Sequence, residues 1–211
     1  MRRLTLLLAA MGTALLLSAG LAFAATYDCF PGRACIGTNG PDTLNGSSGW
    51  DYMDGRQDDD RLFGNEGGDL MSGDAFDAPG NDTSTDGDDL LKGGPGWDEM
   101  IGYGGDDELF GGRRGDFILA EESSANEGKD TVYGNRGHDF ILARDGVKDT
   151  IDCGKGNTDV AFFDKGGRDV VSNDCEYKNE YPDFEEFSST AASSDAPEKV
   201  SAKKLDALRA R

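Results

Sequence analysis

A single histidine among 211 residues removes most Ser-His-Asp triads, and with no CxxC or His cluster beside the four cysteines a zinc site is disfavoured. Basic residues are scarce as well. Lys and Arg total 21 against 41 Asp and Glu, a formal charge of -20, which argues against nucleic acid and anionic membrane as partners and favours cations. Apolar residues make up only 36%, and the one long apolar run is Leu4 to Leu21. That run follows Arg2 and Arg3 and ends at Ala22-Phe23-Ala24, a small-x-small cleavage site, so residues 1–24 read as a signal peptide and the mature chain begins at Ala25. Thr5 stands where a twin-arginine signal carries a bulky apolar residue, which favours the general export route. Losing Arg2 and Arg3 takes the charge from -20 to -22. No later stretch is long and apolar enough for membrane insertion, and neither HExxH nor G-x-S-x-G occurs.

Glycine, by contrast, is abundant, with 31 copies. Ordering glycine is costly unless turns need it, so this content signals either disorder or a repeated turn. Periodicity favours the turn. From Gly37 the chain falls into nines: GTNGPDTLN, GSSGWDYMD, GRQDDDRLF and GNEGGDLMS, up to Ser72. After an insertion near 73–86 the register returns with GDDLLK, GGPGWDEMI, GYGGDDELF and GGRRGDFIL. A second insertion, near 120–127, precedes GKDTVY and GNRGHDFIL, which ends at Leu142. Looser copies follow around Asp149, Asp159 and Asp169. The sixth position holds Asp42, Asp51, Asp60, Asp69, Asp89, Asp98, Asp107, Asp116, Asp130 and Asp139. The eighth holds Leu44, Met53, Leu62, Met71, Leu91, Met100, Leu109, Ile118, Val132 and Ile141. A nine-residue period spans two and a half helical turns, so a helix would keep changing its apolar face. Two nines instead make one coil of a solenoid, with a turn and a short strand on each side.

These columns resemble the RTX, or hemolysin-type, nonapeptide family, whose repeat reads G-G-x-G-x-D-x-U-x. The likeness covers residues 37–142, with degraded copies to Cys175. It implies an all-β fold, a right-handed parallel β-roll or β-solenoid of nonapeptide repeats stacked around calcium ions, with several Ca2+ between turns on the same side. The residue chemistry points the same way. Coils stack about 4.8 Å apart, and two unit charges about 4 Å apart repel by roughly 4 kcal/mol at an effective dielectric of 20. A stacked Asp column therefore needs cations. Carboxylates and backbone carbonyls in flexible turns suit calcium better than magnesium, which demands a stricter octahedron. The ten sixth-position aspartates are the expected ligands. Partners 18 residues apart (Asp42 with Asp60, Asp51 with Asp69, Asp89 with Asp107, Asp98 with Asp116) form the clearest sites. Stacking at Asp130 and Asp139 depends on the second insertion. Asp58 and Arg114 break the glycine of the fourth position, and Arg114 places a cation beside a site. Asp82, Ser84, Asp86 and Gly87 match the start of an EF-hand loop, but its twelfth position is Gly93 rather than Glu.

The four cysteines fit an exported chain. Of three possible pairings, the local pairs Cys29–Cys35 and Cys153–Cys175 are expected, each closing a cap. The resulting organisation is an N-terminal cap at 25–36, repeats at 37–142, degraded repeats with a C-terminal cap at 143–175, and a disordered tail at 176–211 in which 201–211 offers one weak helix. Trp50, Trp97 and His138 fall at the fifth position and read as exposed turn residues. The sequence therefore describes a secreted calcium-binding repeat protein, structural or surface-associated, that folds on calcium and is not an enzyme. An accessory module of a secreted hydrolase and an RTX-type cytolysin are the alternatives, but the first lacks a catalytic constellation and the second a membrane-active stretch. A protein or glycan partner is unknown from sequence.

Overall fold

The computed structural model describes residues 24–74, 86–120, 128–156, 158–166 and 168–181. Residues 1–23 lie outside them, as do most of both insertions, including Asp82 and Ser84, and the chain beyond 181.

Successive repeats deliver strands alternately to two facing parallel sheets. The first sheet runs β1 (Ala25–Asp28), β3 (Asp42–Asn45), β5 (Arg61–Phe63), β7 (Leu90–Pro95), β9 (Glu108–Arg113), β11 (Thr131–Gly137), β13 (Thr150–Asp152) and β16 (Val170–Val171), with β14 (Lys155–Gly156) also pairing β11. The second runs β2 (Ala34–Ile36), β4 (Tyr52–Arg56), β6 (Leu70–Asp74), β8 (Glu99–Ile101), β10 (Phe117–Leu119), β12 (Phe140–Ala143), β15 (Val160–Asp164) and β17 (Tyr177–Tyr181). The chain is an all-β parallel β-roll. Within the repeats strands begin at the seventh position, or at the sixth in β3, once the glycine-rich turn has reversed the chain.

Alternation along each strand puts the eighth position inside. Leu44, Met53, Leu62, Met71, Leu91, Met100, Leu109, Ile118, Val132 and Ile141 are all fully buried. They meet in register: Leu44 with Leu62, Met53 with Met71, Leu91 with Leu109, Met100 with Ile118. The insertions leave this register intact, since Leu62 pairs with Leu91, Met71 with Met100, Leu109 with Val132 and Ile118 with Ile141. Both expected disulfides are formed. Cys29–Cys35 has a Cα–Cα distance of 5.4 Å and Cys153–Cys175 one of 5.1 Å.

One boundary needs correcting. Tyr177–Tyr181, assigned from sequence to the disordered tail, form β17 in parallel register with β15. The repeat there is hidden because Glu176 replaces the sixth-position Asp. Its Oε2 accepts the Asp159 N–H at 2.9 Å, doing what the shorter acid does elsewhere.

Candidate metal centre

The turns align the sixth-position aspartates in two continuous columns, one entering each sheet. Each backbone N–H donates to Oδ1 of the aspartate one coil further on. In the first column Asp42 donates to Asp60 at 2.7 Å, Asp60 to Asp89 at 2.8 Å, Asp89 to Asp107 at 2.8 Å, and Asp107 to Asp130 at 2.9 Å. In the second, Asp51 donates to Asp69 at 2.8 Å, Asp69 to Asp98 at 2.8 Å, Asp98 to Asp116 at 2.9 Å, and Asp116 to Asp139 at 2.9 Å. All ten residues singled out from sequence thus stand in the columns, including Asp130 and Asp139. The four 18-residue pairs are stacked neighbours, and two pairs missing from that set, Asp60 with Asp89 and Asp69 with Asp98, are formed across the first insertion.

The columns also run further than the ten. Asp130 donates to Asp149 at 2.9 Å, Asp139 to Asp159 at 2.8 Å, and Asp149 to Asp169 at 3.1 Å. These residues stand in the loosened copies, where the spacing between columns grows from nine residues to ten. The signal that finds them is the Asp-x-apolar triplet, which survives after the glycines are lost.

The second carboxylate oxygen is the distinctive feature. Oδ2 of Asp60, Asp69, Asp89, Asp98, Asp107, Asp116, Asp139, Asp149 and Asp159, and Oδ1 of Asp51, are buried and accept no hydrogen bond. A buried charged oxygen with no partner is strongly unfavourable, so a ladder of them calls for a cation. Asp42 differs. Its Oδ1 takes the Ala25 N–H at 3.0 Å, and its Oδ2 takes the Thr38 N–H at 2.5 Å and hydroxyl at 2.9 Å.

Glycine at the first position completes the cradle. A Cβ at Gly55 would collide with Asp60 Oδ2 and the Gly73 carbonyl oxygen. The same encounter, with an aspartate Oδ2 and the carbonyl of the next coil, recurs at Gly64, Gly93 and Gly111. Carboxylate and carbonyl oxygens therefore converge in the space glycine leaves. This all-oxygen set in flexible turns fits calcium and offers nothing to a metal that needs nitrogen or sulfur.

Burial also raises the proton affinity of Asp60, Asp69, Asp89, Asp98, Asp107, Asp116, Asp130, Asp139 and Asp149 above the ordinary Asp value of 3.8. Desolvation is the largest cause throughout, opposed by the backbone N–H bond. Neighbouring carboxylates add to it at most positions. Asp60, Asp116 and Asp149 are pushed up to about 8, Asp69, Asp130 and Asp139 to about 7, and Asp98 to about 6. Asp89 and Asp107 are raised well above 3.8, by burial and then by neighbouring carboxylates.

Four copies of the RTX calcium-binding nonapeptide repeat match the chain, at residues 36–62, 51–77, 83–118 and 124–158. The chain belongs to the RTX calcium-binding repeat family. No curated protein and no solved structure shows a significant match to it. RTX nonapeptide repeats bind calcium, and the buried unpartnered oxygens of the two columns are a donor set that could hold such an ion.

Outside the RTX columns, the fifth position forms its own exposed acidic ladder. Asp88 N–H donates to Asp59 at 3.0 Å, Asp106 to Asp88 at 2.8 Å, and Lys129 to Asp106 at 2.8 Å. Trp50, Trp97 and His138 occupy the same position on the other edge and are exposed, as expected for turn residues.

Proposed function

We propose that this chain is a secreted calcium-binding protein whose β-roll folds on binding calcium in the two aspartate columns, and that it serves a structural or surface-associated role rather than a catalytic one. The ligands are Asp42, Asp51, Asp60, Asp69, Asp89, Asp98, Asp107, Asp116, Asp130 and Asp139, continued by Asp149 and Asp159, with turn carbonyls completing each shell. The observation that carries this reading is the run of buried carboxylate oxygens without hydrogen-bond partners. In the absence of a divalent ion the column destabilises the coil through desolvation and like-charge repulsion. Calcium reverses the sign at each coil, and because neighbouring coils share an aspartate, ions and coils form together. Export is supported by the N-terminal apolar run and cleavage site and by two disulfides.

Circular dichroism of the mature chain, in chelator and then in a calcium titration, tests the proposal. A disordered spectrum that converts cooperatively to a β-spectrum is expected. The same β-spectrum in both conditions would refute calcium-dependent folding.

A further inference from the structure

Where the repeat loosens, the first column gains an additional carboxylate. Successive aspartates of the two columns are nine residues apart in the regular repeats, but Asp139 and Asp149 are ten apart. The longer turn carries Asp145. Gly146 takes a left-handed φ of 95° there and donates its N–H to Asp164 Oδ2 at 2.7 Å. Asp145 Oδ1 accepts the Val147 N–H at 2.7 Å, which orients the carboxylate within its own turn. One carboxylate oxygen from each of Asp130, Asp145 and Asp149 lies within 4.8 Å of the other two. Among the described residues this is the one group of three such ligands.

We propose that Asp130, Asp145 and Asp149 form the chain's highest-affinity calcium seat, with Asp145 a ligand outside the nonapeptide pattern. The inference rests on the reading of the columns as calcium sites and adds a residue and an order of filling to it. A second observation, independent of the clustering, comes from Asp149. It is fully buried. Its Oδ1 is engaged by the Asp130 N–H at 2.9 Å, and its Oδ2 is buried without a hydrogen-bond partner. Asp130 is 2% exposed, whereas Asp145 is half-buried, so the seat is walled on the core side and open on the turn side, where an ion can enter. Among the described residues no other three such ligand atoms lie within 4.8 Å of one another, and calcium affinity rises with the number of charged ligands and the rigidity of the site. Calcium therefore fills this seat first. It then pins β11 to β13, which pair at Val132 and Ile151, giving neighbouring coils an ordered edge on which to stack.

Calcium titration calorimetry on the whole mature chain, with a competing chelator to resolve the tightest step, tests this with three substitutions. Asp145→Asn keeps the turn's amide cap and removes the charge. It is expected to weaken the tightest step by about tenfold and leave later steps in place. Asp106→Asn, an exposed acid at the fifth position, is expected to change nothing. Asp107→Asn probes the column itself. If Asp145→Asn titrates like the parent while Asp107→Asn weakens binding, the three-carboxylate seat is overturned and the general reading stands. If neither changes the titration, both fall. Carboxyl labelling of the unsubstituted chain, read by mass spectrometry, covers the case in which Asp145→Asn does not fold. Protection of Asp145 at lower calcium than Asp42 and Asp51 supports the seat, and Asp145 labelling equally with and without saturating calcium overturns it.

Discussion

Most column aspartates use their two oxygens differently. In Asp107, Oδ1 accepts the Asp89 N–H of the preceding coil, and Oδ2 is buried without a hydrogen-bond partner. Asp107→Ala removes both. It should raise the calcium midpoint of folding by about tenfold, with much of the fold recovered at saturating calcium, because excess ligand compensates for lost affinity. Leu109, fully buried two residues on in β9, behaves otherwise. Leu109→Ala opens the core at a cost of about 2–5 kcal/mol and should lower thermal stability even when calcium saturates. Calorimetry of both variants across a calcium series separates the two. Asp106→Ala should have a small effect, since Asp106 is exposed and its Oδ1 serves only the Lys129 N–H. A shift as large as that of Asp107→Ala would mean the ligand column is misassigned. Proton affinity gives a further test at this scale. Asp60, Asp116 and Asp149 bind protons more tightly folded than unfolded, with values near 8 against 3.8. Their contribution to the metal-free fold is therefore full below the unfolded value and is lost as pH rises through about 8. In metal-stripped buffer the β-signal should grow as pH is lowered from about 9 to 5. With limiting calcium the trend should reverse, because protons compete for the same oxygens.

At the scale of the element, the turn sets what each position tolerates. Gly49 has nothing within 4 Å of an added Cβ, whereas a Cβ at Gly55 meets the ligand oxygen of Asp60 and the next coil's carbonyl. Gly49→Ala should be nearly silent, and Gly55→Ala should cost about 1–3 kcal/mol in calcium-saturated stability, measurable by thermal unfolding. The fourth-position exceptions share the left-handed φ of Gly67 and Gly105. Asp58 and Arg114 take φ values of 71° and 85°, a left-handed conformation that favours glycine. Arg114→Gly should stabilise the coil by about 0.5–1 kcal/mol after the added freedom of the unfolded chain is subtracted. No change, or a loss of stability in the same unfolding assay, would place the arginine in an unstrained role.

At the scale of the whole molecule, the two sheets share an interior, and each carries rings on its outer face. On the second sheet Phe117, Leu119, Phe140, Leu142 and Phe162 face outward and are half-buried, with the Phe117 and Phe140 rings stacked 5.3 Å apart. The first sheet presents Thr43, Arg61, Leu90, Glu108, Thr131 and Thr150 at its seventh positions and half-buried Phe63, Phe110 and Tyr133 at its ninth, the last two stacked 4.8 Å apart. The caps act on the whole stack, since a solenoid leaves its end coils half-covered. Cys153–Cys175 closes a 22-residue separation at the C-terminal end, against 6 residues for Cys29–Cys35. Replacing the former pair with serine should cost about 2–4 kcal/mol and the latter less, on the chain-entropy account. Unfolding of the two double mutants in saturating calcium measures the difference.

The sequence by itself determined the repeat period, the eighth-position core, the ten aspartates and the local cysteine pairs, because a solenoid's contacts are its own period repeated. Asp42 and Asp60 had to stack once each coil was two repeats long. Three features were decided only by tertiary structure. Across both insertions the pairing of Leu62 with Leu91 and of Leu109 with Val132 is kept, since stacked backbones and a filled core outweigh the entropy of a longer connection. Glu176 extends a column whose pattern asks for Asp, because the acceptor oxygen reaches the Asp159 N–H at 2.9 Å from a longer side chain. Asp145 joins Asp130 and Asp149 within 4.8 Å, since a ten-residue turn folded over a nine-residue neighbour must place its extra residue somewhere, and position along the chain does not say on which side of the coil.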